Sequence, residues 1–214
     1  VPEVRFHGVN VKITNDTGST NSINGVGNLI LGYDEVRTNA SDKTGSHNIV
    51  VGENHNYSSY GGLVAGFENT VSERNASVTG GLLNTASGAN SSVTGGHSNT
   101  ASGLNSSVTG GQLNVASQTY ASVSGGRSNI ASGPHSSVSG GRENTAAESA
   151  TSVSGGSSNV AGDPTCGINC AAQSNASVSG GRSNTARGLN ASVGGGFQNL
   201  AVGESSSIAG GSDS

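Results

Sequence analysis

The chain of 214 residues holds 36 glycines, only seven aromatic residues (four Tyr and three Phe), and neither Met nor Trp. Glycine usually makes up about 7 % of a sequence, and so few large side chains exclude a thick globular core or an aromatic-lined ligand pocket. The formal charge of −4, with 10 % of residues charged, excludes the dense basic face of a nucleic-acid binder and a polybasic membrane patch.

No run of about 18 apolar residues occurs, so no helix of this chain is expected to span a bilayer. Neither a secretory signal nor an initiator Met is present. The expectation is a mature or excised segment, with any anchor outside it.

In residues 1–61, Val4, Phe6, Val9, Val11 and Ile13 suggest one or two strands with richer side chains than the rest of the chain. Asn28-Leu29-Ile30-Leu31-Gly32 and Asn48-Ile49-Val50-Val51-Gly52 are near copies 20 residues apart. They read as irregular early rungs joined by loops. A capping role for 1–61 follows, because a stacked-coil fold must protect its open sheet edge. The alternative is a binding tip built on Tyr33, Tyr57 and Tyr60, since aromatic residues are favoured at contacts.

From residue 62 the chain keeps a period of 15. A Ser followed by a β-branched residue recurs, giving the column Val78, Val93, Val108, Val123, Val138, Val153, Val178, Val193 and Ile208. Gly-Gly follows in every unit, from Gly80-Gly81 to Gly210-Gly211. Asn recurs at Asn84, Asn99, Asn114, Asn129, Asn144, Asn159, Asn184 and Asn199, with Ala two residues later in each unit. A disordered Gly/Ser linker has no reason to hold four positions in step. Gly62-Leu63-Val64-Ala65-Gly66-Phe67-Glu68-Asn69 fits the frame loosely.

Each unit has two short runs of period-2 character separated by glycine corners. With Val facing inward, alternation places the residue before the Ser, the Val and the first Gly on one side. In the second run Asn and Ala face inward together, and Ser and Thr point out. The fold class predicted is all-β, a parallel β-solenoid of 15-residue rungs. Inward Asn must be satisfied, and stacked amides bonding from rung to rung would do so. One Val per coil buries too little apolar surface to offset the ordering of 15 residues. The Val column is therefore expected to be a core ridge shared by symmetric copies of the chain.

The frame S-V-x-G-G…A-x-G resembles the head repeats of trimeric autotransporter adhesins of the YadA-like kind, matched in the first full unit by Ser77, Val78, Gly81, Ala86 and Gly88. The resemblance covers roughly residues 62–214. The segments 45–52 and 57–66 also look like an uncharacterised family of exported bacterial repeat proteins. The first resemblance implies a left-handed β-roll, a homotrimer, an extracellular position at a bacterial surface, and adhesion to host, matrix or other cells through a protein or glycan receptor. The chain departs from the pattern at Gly80, where that family has an aliphatic residue, and at Asn84, where it often has Ala.

The count breaks once, between Ser152 and Ser177, by ten extra residues at about 162–171. In an exported protein Cys166 and Cys170 are expected to close a small disulfide loop; two thiolates without His make a poor zinc site. Arg127, Arg142 and Arg182 share one repeat position and, with Tyr57 and Tyr60, are candidate receptor contacts, the arginines for a sulfated or phosphorylated glycan. No metalloprotease motif, nucleophile elbow, P-loop or paired carboxylates appear, so neither catalysis, cofactor, metal nor nucleic-acid partner is expected. The function expected is a non-catalytic adhesin segment. The alternatives are a structural spacer or sheath element of a fibre, and an ice-binding solenoid, whose Thr column would start at Thr85 and Thr100 but break at Val115 and Ile130.

Overall fold

A computed structural model describes residues 1–38, 40–163 and 174–213. Residues 1–28 contain no strand. The coil begins with β1 (Leu29–Leu31), β2 (Ile49–Glu53), β3 (Asn56–Tyr57), β4 (Leu63–Phe67) and β5 (Thr70–Val71). It then settles into two-residue strands, one Ser-Val and one Thr-Ala type per rung, starting with β6 (Ser77–Val78) and β7 (Thr85–Ala86). All pairings are parallel, in a 12-stranded sheet headed by β1, β2, β4 and β6 and a 10-stranded sheet headed by β3, β5 and β7. The architecture is an all-β parallel solenoid, and among the described residues there is no helix.

Register follows the sequence period. Ser77 pairs with Ser92 and Val78 with Val93. Across the ten-residue insertion Ser152 still pairs with Ser177, so the stack keeps its register. The near copies also pair in register, Leu29 with Ile49 and Ile30 with Val50. Each rung has a third contact besides the two strands. Single bridges link Leu82, His97, Gln112 and Arg127 in succession, where sequence periodicity predicted a turn.

Three left-handed residues turn each rung. In the first full unit they are Gly81 (φ +86°), Leu83 (φ +58°) and Asn90 (φ +56°). Along the strands N–H groups donate to the following rung, as Ser77 does to Ser91 and Thr85 to Asn99. At two of these corners the direction reverses: Leu83 donates to Phe67 and Asn90 to Arg74, both on the preceding rung. A positive φ turns the peptide over, and the two bonds at 3.1 and 3.0 Å offset the cost of about 1 kcal/mol that a non-glycine residue bears there.

The interior is one file of side chains per column. Val64, Val78, Val93 and their successors to Val193 are 0–1 % exposed. Ala86 and its repeats form the second file and Ala76, Ser91 and Ser106 the third. This corrects the role expected of the Val column. Val78, Val93, Val108, Val123, Val138, Val153, Val178 and Val193 are consumed inside their own chain, with Ile208 half-buried beneath them. None is left as an outward ridge for a sister copy. The first glycine of each pair also departs from strict alternation. A methyl on Gly95, Gly110 or Gly125 would meet no atom within 4 Å. The strand ends after Val, and the chain bends at the Gly-Gly step before the next inward position arrives.

Candidate functional site: columns of repeated side chains

The Asn column is buried at 0–1 % exposure; one amide bonds the next directly at Asn199 Nδ2 to Asn184 Oδ1, 3.1 Å, but along the column the bonds run from amide to backbone. Asn114 is representative. Its Oδ1 accepts from the backbone N–H of Asn129 at 2.9 Å, while its Nδ2 donates to the carbonyls of Gly110 at 2.8 Å and Gly126 at 3.0 Å. The same three bonds recur from Asn84 to Asn184. Each amide thus staples two successive Gly-Gly corners and the next strand entry. The first-glycine carbonyl and the next Asn N–H lack backbone partners, and the short Asn side chain supplies them; the second-glycine carbonyl, already bonded by the Gln112 N–H in this rung, gains a second bond. A side-chain amide ladder does exist, at the exposed corner: Asn75 Nδ2 donates to Asn90 Oδ1 and Asn90 Nδ2 to Asn105 Oδ1, both at 3.1 Å. Tyr120 and His135 continue that column as stacked rings 5.0 Å apart.

His55 occupies the Asn position in an early rung, 14 residues before Asn69. Its Nδ1 accepts from the Asn69 N–H at 3.2 Å and its Nε2 donates to the Val51 carbonyl at 3.0 Å. Val51 lies four residues back, as the glycine carbonyl does for each Asn. These bonds require the neutral ring with its proton on Nε2. Burial lowers the pKa of His55 from its ordinary 6.5, and nearby Arg37 acts in the same direction. The unfolded chain then binds a proton that the folded chain refuses. His55 therefore contributes stability that is fully present above about pH 6.5 and lost as pH falls below it. Thermal unfolding followed from pH 7.5 to 5 is expected to show a falling melting temperature for the native chain. His55→Asn, which keeps the acceptor and donor, should flatten that part of the profile.

Tyr57 is not a receptor contact. It is 2 % exposed and pairs in register with Val71, which pairs with Ala86. The Ala file thus ends in a bulky plug. Its hydroxyl donates to Asp34 Oδ2 at 3.0 Å; burial and the Asp34 carboxylate both raise its pKa well above the phenolic range. Lys43 closes the group, 2.8 Å from Asp34 Oδ1. Arg37 donates to the carbonyls of Asn54, Glu68 and Asn69 and to Thr70 Oγ1, capping the leading edge of the second sheet. Tyr60 is half-buried, and Tyr33, 94 % exposed, stands free of both.

Arg127, Arg142 and Arg182 are exposed along the bridge column. Cys166 and Cys170 lie outside the described residues. No group of three or more His, Cys, Asp or Glu is placed to hold a metal among the described residues, and no helix there is long and apolar enough to cross a membrane. Sequence periodicity located the Asn column; the roles of His55 and Tyr57 escaped it because the early rungs run to 14 residues. A scan against protein-family models gives no match to this chain, and a comparison with curated proteins gives none either.

Proposed function

We propose that the chain is a non-catalytic segment of a homotrimeric fibre at a bacterial cell surface, attaching the cell to host, matrix or other cells. The observation that carries this reading is the outer face of the 12-stranded sheet. From Ser77 to Ser207 its first outward column is all Ser, and the second runs Thr79, Thr94, Thr109, Ser124, Ser139, Ser154, Ser179, Gly194, Ala209. No charge interrupts either column. Beside them, Gly95, Gly110, Gly125, Gly140, Gly155 and Gly180 lie outside the left-handed region, and a methyl on any of them would meet nothing. The single chain has no steric use for these glycines. A closely apposed copy does, because glycine lets two backbones approach. With the Val column spent inside the coil, this smooth face is the one offered to sister chains.

Arginine at Gly110 and Gly125 together tests the face. The double variant should keep the wild-type circular dichroism spectrum and sediment as a monomer; a persisting trimer would show that copies meet elsewhere. Attachment is tested separately, by coating beads with the purified chain and scoring adherence to cells and matrix proteins. Beads that adhere no better than controls would leave the spacer reading. The hydroxyl columns also suit the ice-binding reading, which thermal hysteresis above that of a control protein would favour.

A further inference from the structure

The column after each Gly-Gly pair runs Leu82, His97, Gln112, Arg127, Arg142, Ser157, Arg182, Phe197, each bridged to the next. Neighbours in it are separated by one rung, about 4.8 Å. Arg127 to Arg182 therefore spans three rungs, about 14 Å. Three guanidinium groups stand in one line on a chain whose net charge is −4.

Their donors are largely unspent. Arg127 has no ion pair among the described residues. Arg142 faces one carboxylate oxygen of Glu143 with Nε alone, at 3.8 Å. Glu143 also accepts from Ser158 Oγ at 3.3 Å. The Arg182 guanidinium lies over the Phe197 ring, 5.5 Å from its centroid. That contact holds the guanidinium in place without using an N–H donor. Ser157, small, separates Arg142 from Arg182 and leaves a gap two rungs tall, about 9.6 Å. A tetrahedral oxyanion gripped from both ends by guanidinium groups fits that height.

We infer that this column is a binding track for a linear sulfated polysaccharide laid along the rod axis, with one sulfate between Arg142 and Arg182 above Ser157 and another anionic group on Arg127. A single small anion engages only part of a line this long. Nucleic acid is the poorer fit, since the one ring in the arginine stretch, Phe197, already has Arg182 over its face and offers no platform for bases. The inference deepens the attachment reading and rests on it for its biological setting, while the binding itself is a property of the column.

The test is chromatography and surface plasmon resonance of the purified full chain on immobilised heparin, with neutral dextran as the blank. Binding is expected, weakening with added salt. The variant R127Q/R142Q/R182Q should lose at least about tenfold in affinity and show a shallower salt dependence, because each lost cation releases fewer counterions. The control R5Q/R74Q/R187Q, with the same number of cations removed from elsewhere on the chain, should bind within about twofold of wild type. Glu143→Gln should tighten binding. Circular dichroism checks that every variant folds. No heparin binding by the wild type, equal binding by the triple variant, or equal capture of a single-stranded oligonucleotide would each overturn the track. Heparin binding without bead adherence would keep the track and sink the attachment reading; adherence without heparin binding would do the reverse.

Discussion

Gly111→Ala is expected to melt the rungs around it, whereas Gly110→Ala, one residue earlier, is expected to leave the coil intact. A Cβ on Gly111 would stand 2.1 Å from the Gly126 carbonyl oxygen and 2.6 Å from Asn114 Nδ2. Both are parts of a stacked, hydrogen-bonded corner and have nowhere to go. The backbone there is also left-handed, at φ +86°. Steric overlap with backbone and a disfavoured conformation together place the cost at about 3–5 kcal/mol. Gly110 has neither constraint. Alanine there should change stability by less than about 1 kcal/mol, since it also narrows the unfolded ensemble. Rungs contact only their neighbours, so the damage should be local at first. Hydrogen exchange resolved by peptide is the suitable readout. Protection should collapse around residues 96–130 in Gly111→Ala and survive in Gly110→Ala. Equal loss in both variants would mean that the Gly-Gly corner is misassigned.

The second large effect is expected at Asn114. Alanine there deletes three bonds at once and strands the Asn129 N–H and the Gly110 carbonyl, while the Gly126 carbonyl keeps its bond from the Gln112 N–H. A buried backbone group without a partner costs about 1–3 kcal/mol. Partial access of water to the small void reduces the sum, leaving an expected loss of about 3–5 kcal/mol in denaturant unfolding. Asn114→Asp keeps the shape and the acceptor but removes both donors, and places a charge against two carbonyl oxygens. It should cost at least as much at neutral pH. Asn75→Ala, by contrast, breaks a solvent-exposed amide contact and should cost less than about 1 kcal/mol. A small effect at Asn114 comparable to that at Asn75 would contradict the stapling role.

These contrasts also mark what sequence could reveal. A fixed period of 15 located the strands, the inward Val and Asn and the outward Ser and Thr, because a parallel stack repeats each environment once per rung. It also located the insertion between two rungs that stay in register. The direction of Gly110 was not legible, since alternation stops where a two-residue strand meets its corner. Nor was the Asn chemistry, because an amide can bond another amide or the backbone and only the corner's unpaired carbonyls decide. Tyr57 reads as a surface aromatic until register aligns it with Val71 and Ala86. His55 reads as an isolated histidine until it is seen to offer the donor and acceptor that Asn offers elsewhere. The Val column was inward as expected, but the interior it fills is that of its own coil.

The three arginines show the same limit. Their shared repeat position is visible in the sequence, but the ring beneath Arg182 and the carboxylate beside Arg142 come from the fold. Those contacts turn a coincidence of position into a line of oriented donors.

Sedimentation equilibrium of the purified chain at micromolar concentration tests the central proposal, that smooth glycine-bearing faces of sister copies pack together. The proposal predicts a single species of three times the chain's 20.8 kDa, reduced to one times that mass by arginine at Gly110 and Gly125. A monodisperse wild-type monomer that melts cooperatively would contradict it.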